Sequence, residues 1–166
     1  MTVIQPVYLN ESPCHHPIID SINEEAFGPG RFVRAAERVR EQGPHDPRLS
    51  FIAMMDDTVV GSVRMTPVMA GSVMGHLLGP LAVRPSFKNL GIGKELVRIS
   101  VAEALRQGSE AVVLVGDAPY YGPLGFEPVE ARLRFPGPVD AARILVASNR
   151  DDTQDRLQGT IHWRGQ

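Results

Sequence analysis

The sequence predicts an α/β fold of the α+β type, in which helices flank a mixed, mostly antiparallel sheet interrupted by one strand-helix-strand crossover. Three observations carry that expectation. "SFIAMMDDTVVGSVRMTPV" (50 to 68) is two β-rich runs around Asp56 and Asp57, the pattern of an antiparallel hairpin. "GSVMGHLLGPLAV" (71 to 83) continues as a further strand. The most regular helical pattern of the chain, 91 to 107, then leads into "AVVLVG" (111 to 116), whose unbroken apolar character suits a strand covered on both faces.

The remaining elements fall around this centre. "TVIQPVYL" (2 to 9) reads as a first strand, and "PCHHPIIDSINEEAFG" (13 to 28) as a helix with Ile18, Ile22 and Ala26 at helical spacing before Gly28 and Pro29. "RFVRAAERVREQG" (31 to 43) places Phe32, Val33, Ala36 and Val39 on one face, with Gly43 closing the end. Gly79 and Pro80 cannot sit comfortably inside a regular ladder, so a bulge or splay is expected there. In the helix from 91, Ile92, Leu96, Val97, Val101, Ala104 and Leu105 form a broad apolar face that ends at Gly108. A short turn or helix follows at "DAPYYGPLGF", and "RILVASN" (143 to 149) and "LQGTIHW" (157 to 163) read as late strands.

Composition narrows the function classes. A chain of 166 residues, 43% hydrophobic and 22% charged, suits a single domain with a real core. The formal net charge of -2 gives no global positive field to draw it onto nucleic acid or an anionic membrane. Small-molecule or protein partners are expected instead. One cysteine, Cys14, cannot form an internal disulfide, and the first residues lack the basic start and apolar run of a secretory signal, so the expected compartment is the cytoplasm. No apolar run approaches the ~18 residues that span a bilayer.

"KNLGIGKEL" (88 to 96) opens the best helix of the chain with two glycines, poor helix formers. The first N-H groups of a helix lack internal partners and carry the positive end of its dipole. Glycines at 91 and 93 remove Cβ atoms that would hold an anion away from those amides. The same glycines would also serve tight helix-to-sheet packing, with Asn89 as an ordinary cap. Two nucleotide templates fail here. A dinucleotide fingerprint needs a glycine where Leu96 stands, and a P-loop needs Ser or Thr where Glu95 follows Lys94.

"LGPLAVRPSFKNLGIGKEL", together with "GDAPYYGPLGF" after the next strand, resembles the acetyl-coenzyme A binding core of the GNAT N-acetyltransferase superfamily. In that family a strand ending such as L-A-V-x-P precedes R/Q-x-x-G-x-G/A, a helix, a strand, and a tyrosine four residues before G-F. The specific motifs lie within 77 to 126, while the order of elements matches over most of the chain. The resemblance implies a GNAT-like fold with a splayed central strand pair and a single domain over 1 to 166. It implies an acetyl-coenzyme A dependent N-acyltransferase acting on an amine, small molecule or protein, with a non-catalytic acyl-coenzyme A sensor as the rival reading. It places the pantetheine arm along Leu81, Ala82 and Val83, and the pyrophosphate over Asn89, Leu90, Gly91, Ile92, Gly93 and Lys94. Lys88 stands where the family has Arg or Gln. Tyr121 matches the acid that protonates the departing thiolate, although Tyr120 and Tyr121 also suit plain core aromatics. Some members carry a glutamate base where this chain has Leu77, so the base is unassigned. The resemblance leaves acceptor, acyl length and oligomeric state open, a homodimer included.

Other residues draw notice for weaker reasons. Cys14, His15 and His16 resemble ligands, but adjacent helical histidines diverge by about 100° and no further Cys or His stands at metal spacing, so no metal is expected. Arg31, Arg34 and Arg38 share a helical face that suits an acidic acceptor, a phosphate or plain solvent. Glu24 and Glu25 border the acceptor region by resemblance. His76 and His162, lone histidines on strands, suit structural roles.

Overall fold

A computed structural model describes residues 4–30, 34–129 and 132–165. Strand β1 (Val7–Asn10) leads through a short 3-10 turn into α1 (His16–Phe27), and α2 (Ala35–Arg40) follows. The hairpin of β2 (Phe51–Met55) and β3 (Thr58–Ala70) turns at Asp56, which takes a positive φ of 52°. Next come β4 (Val73–Val83), α3 (Ile92–Arg106), β5 (Val112–Val115) and the single turn α4 (Ala118–Tyr121). The chain closes with β6 (Glu127–Pro128), β7 (Leu133–Arg134), β8 (Ile144–Ala147), α5 (Thr153–Arg156), β9 (Gly159–Thr160) and β10 (His162–Trp163).

The main sheet runs β1-β2-β3-β4-β5-β8-β6, with β10 on β3, and every pairing in it is antiparallel except β4 with β5. The mixed, mostly antiparallel sheet read from the sequence is the one observed. α3 supplies the crossover between the parallel pair. Its Ile92, Leu96, Val97, Val101 and Ala104 are buried against Val60, Val63, Leu78, Val112 and Leu114, each large side chain contributing about 1.5–3 kcal/mol by leaving water. The other face of the sheet packs α2 and the late strands through Val39, Leu77, Val113, Val146 and Ile161.

Several details differ from the sequence reading. The buried face of α1 is Ile19, Ile22 and Asn23, while Ala26 is exposed, because the helix is rotated by about one residue from the expected stripe. Arg31, Phe32 and Val33 lie outside the described residues; Ala36 and Val39 are buried as expected. Gly43 does not cap α2, which ends at Arg40. A Cβ at Gly43 would stand 2.2 Å from the Trp163 ring, so the glycine seats that indole. The expected late strand 157 to 163 is divided: β9 pairs with β7 in a small second sheet, and β10 joins the main one. Among the described residues no helix is long and apolar enough to cross a membrane.

Candidate active site

The parallel pairing of β4 with β5 covers only His76 with Val112 and Leu77 with Val113. Beyond it β4 runs on to Val83, bonded on the β3 side alone, and β5 diverges toward β8. The cause lies in Gly79 and Pro80. One extra residue of β4 is inserted between the Val63–Leu81 and Met65–Leu78 pairs, and Gly79 takes φ 130°, out of reach of ordinary side chains. Pro80 has no N-H to offer either neighbour. The expected bulge and splay are both present.

A cleft of about 1220 Å³ occupies this wedge. β4 lines it with Leu78 to Leu81, β5 and its continuation with Leu114 to Asp117, and α4 with Tyr120 and Tyr121; α1 contributes Asp20, Asn23 and Phe27. Lys88 lies at its rim.

Ahead of α3 the chain forms a 3-10 turn at Pro85–Phe87, then turns sharply. Asn89 and Gly91 both have positive φ, 66° and 79°. Gly91 is the N-cap residue and no side chain caps the helix, so Asn89 is not the cap considered above. The first helical bond is donated by the Glu95 amide to the Gly91 carbonyl. The six amides from Asn89 to Lys94 donate to nothing among the described residues. Successive unpartnered N-H groups at the head of a 15-residue helix make an anion cradle. The two glycines serve it differently. Gly91 supplies the left-handed turn, and a Cβ there would meet open space. Gly93 leaves room for the Tyr120 hydroxyl, which would lie 2.8 Å from a Cβ, and Lys94 Nζ stands 5.7 Å from the Tyr120 ring centre.

Tyr121 is packed edge-on between Tyr120 and Phe126, with ring centroids 4.8 and 5.8 Å away, and Gly116 admits its ring. Burial, with smaller contributions from Tyr120 and Asp117, pushes its hydroxyl pKa up to about 12. It is therefore both a core aromatic and a wall of the cleft.

The sequence-based family model described as Acetyltransferase (GNAT) family matches residues 17–126. The chain belongs to the GNAT acetyltransferase family. Among its curated relatives, the uncharacterized N-acetyltransferase YjhQ of Escherichia coli K12 is 29% identical over 124 residues, 72% of this chain and 68% of that one. The uncharacterized N-acetyltransferase YhbS of the same strain is 29% identical over 162 residues, 92% of this chain and 93% of that one. The crystal structure of Escherichia coli YhbS in complex with CoA superposes with a TM-score of 0.79 at 24% identity, over 99% of this chain and 92% of that one. A GNAT family acetyltransferase from Brucella melitensis in complex with acetyl-CoA gives 0.71 at 24% identity, covering 98% of each chain.

Within this GNAT acetyltransferase the sequence-derived candidates sort clearly. Leu81 and Lys88 line the cleft beside Tyr121, and Ala82 and Val83 continue the open edge of β4. Leu77, at the position of the family's glutamate, is fully buried in the core. Glu24 and Glu25 are exposed and absent from the cleft wall; Asp20, Asn23 and Phe27, at helical spacing, face it instead. Arg34 lines the cleft above the Phe27 ring, whereas Arg38 pairs with Glu41 at 2.7 Å. His76 is buried, hydrogen-bonded to Ser109 Oγ at 2.9 Å, and lowered to about 4 by burial, a structural histidine as expected.

The sequence reading passed over Arg40 and His45. His45 lines the cleft and its Nε2 lies 2.9 Å from Glu11 Oε1, a close approach off the hydrogen-bond line. His16 Nε2 stands 3.4 Å from the other oxygen of Glu11, so Glu11, His16 and His45 bring three ligand-type atoms within 4.8 Å. Arg64 donates to both oxygens of Glu11, at 3.0 and 3.2 Å, and already neutralises the carboxylate a metal would need. Burial would raise the Glu11 carboxyl, but the His45 and Arg64 contacts prevail and lower it to about 2. Arg64 sits where the β3 register shifts, opposite the bulge, so this network braces the open half of the wedge. Folding brings these residues together from four separate segments, and no local spacing announces them.

Proposed function

We propose that residues 1 to 166 act as one domain that transfers an acetyl group from acetyl-coenzyme A directly to the amine of an acceptor. One observation carries the reading: the wedge between β4 and β5 opens beyond Leu77 and has six unpartnered amides at the head of α3 beside it. The complexes of related proteins with CoA and acetyl-CoA support the same donor here. Acetyl-coenzyme A supplies a thioester, whose acyl carbon is open to attack by a neutral amine.

The amides of Asn89 to Lys94, with the dipole of α3 behind them, hold the pyrophosphate, and Lys88 adds a point charge. The unpaired edge of Leu81, Ala82 and Val83 hydrogen-bonds the pantetheine arm as an added strand would. A backbone N-H on that edge stabilises the developing oxyanion. Tyr121, raised to about 12, keeps its proton over the whole working range. That value lies far above the pKa of a thiol, so its part is to donate a hydrogen bond to the leaving sulfur, while the proton that completes the thiol is the one shed by the attacking amine nitrogen.

The test is calorimetry with coenzyme A on Gly91→Ala and Gly93→Val, each checked for an intact fold. Alanine at 91 meets no neighbour within 4 Å but strains the turn, and valine at 93 must displace Tyr120. Both should bind at least about tenfold more weakly. Unchanged affinity in folded variants would reject the cradle.

A further inference from the structure

Arg40, the last residue of α2, lines the cleft with 18% of its side chain exposed. A Cβ on Gly79 would stand 2.6 Å from Arg40 Nη2, so the guanidinium rests against the backbone of the β4 bulge in space that only glycine leaves open. Glu37 Oε2 accepts from Nη1 at 3.1 Å. The Nε is buried and has no partner among the described residues. Burial works against the Arg40 charge, Glu37 supports it, and Arg34 nearby opposes it. Arg34 and Arg40 thus both line the cleft beside the splayed strand, with Glu37 paired to Arg40.

Asn23 lines the same cleft and is 6% exposed; its buried Oδ1 has no donor among the described residues. Buried polar atoms left unsatisfied are costly, and those of Arg40 and Asn23, with His45 Nε2 on the same cleft, mark what a ligand must bring. Among the described residues Arg40 Nε lacks an acceptor, although Nη1 is engaged by Glu37, and Asn23 Oδ1 lacks an N-H donor. The planar fork of an arginine suits a carboxylate.

We propose that the acceptor is a carboxylate-bearing amine of the amino-acid class, its carboxylate taken by Arg40 and an N-H by Asn23 Oδ1. The inference rests on the acetyl-transfer reading, and it names the substrate class that this site would take.

The experiment measures binding apart from turnover. The coenzyme A-loaded protein is titrated with N-acetyl amino acids covering the common side chains, and with the C-terminal amide of each. Carboxylates should bind about ten to a hundredfold tighter than their amides. Arg40→Gln should erase the difference while coenzyme A affinity stays within about twofold. Arg40→Lys, which keeps the charge in place should the glutamine variant fail to fold, should retain a reduced preference. Equal binding of acids and amides, no binding across the panel, or an undiminished preference in folded Arg40→Gln would overturn the proposal. Thiol release from acetyl-coenzyme A with the free amino acids is followed in parallel. Its absence beside intact carboxylate binding would reject the transfer reading and leave the carboxylate site standing.

Discussion

The two halves of the β4–β5 pair are built by opposite means. In the closed half, His76 donates to the Ala111 carbonyl at 2.9 Å and Glu110 to the Met74 carbonyl at 3.0 Å. Side chains add to the seam: Glu110 accepts from the Met74 amide, and Ser109 bonds both His76 and the Ala111 carbonyl. The approach is so close that a Cβ on Gly75 would lie 2.3 Å from the Ala111 oxygen. A few residues on, Gly79 and Pro80 remove the means of pairing, and Arg40, Tyr121 and a cleft fill the gap. The contrast shows that the opening follows from the Gly79–Pro80 bulge, with the Glu11–Arg64 brace set at the register shift of β3 opposite it.

Glu11→Gln tests that brace and should have the largest effect. It removes a carboxylate lowered to about 2 and leaves Arg64 without a counter-ion, costing about 3 kcal/mol at neutral pH. Because the folded pKa lies below the ordinary value of 4.5, the contribution is complete above pH 4.5 and disappears as pH falls toward 2. Denaturant melts should show the wild type losing more stability than the variant across that window; parallel curves would refute the assignment.

Tyr121→Phe probes the open half alone. The ring stays in its edge-on stack, so coenzyme A affinity should change less than about twofold while kcat falls about 10²-fold. With the hydroxyl at about 12, kcat of the wild type should show no alkaline decline below pH 10 from this group. An equally fast phenylalanine variant would assign leaving-group stabilisation elsewhere.

Gly75→Ala strikes the closed half. Its methyl group would meet backbone, which cannot swing aside, and the expected loss is about 2 kcal/mol in urea unfolding. A neutral result would mean that the seam is looser than its hydrogen bonds indicate. Lys88→Ala should have the smallest effect. The exposed lysine stands beside the cradle as a flexible charge, so coenzyme A Kd should rise no more than about fivefold, and the difference should shrink with salt. Complete loss of binding would transfer the main role from the amides to this side chain.

What the sequence reveals follows the same division. Hydrophobic period points to α3, β5 and the hairpin, and family spacing singles out Gly91 and Tyr121, which stand at the head of α3 and on the wall of the cleft. The end of the cleft lined by Arg40 and Asn23 is illegible because its residues come from α1, α2, β3 and β4 and carry no shared spacing. Arg40 looks like one of several arginines on a surface helix until Gly79, 39 positions later, is seen to make room for it. Asn23 looks polar and exposed until α1 is rotated into place. The divided strand at 157 to 163 failed for a related reason, since nothing local says that neighbouring residues will join two different sheets.

The seat of Trp163 on Gly43 has an optical consequence. The indole N-H donates to the Pro44 carbonyl at 2.9 Å, and the backbone amide of Trp163 donates to Gln42 across 121 positions of chain. Trp163 is also the only tryptophan in the sequence. Its fluorescence therefore reports almost exclusively on the loop that follows Arg40, and a change in emission wavelength on adding an acceptor would register a shift of that loop without any label.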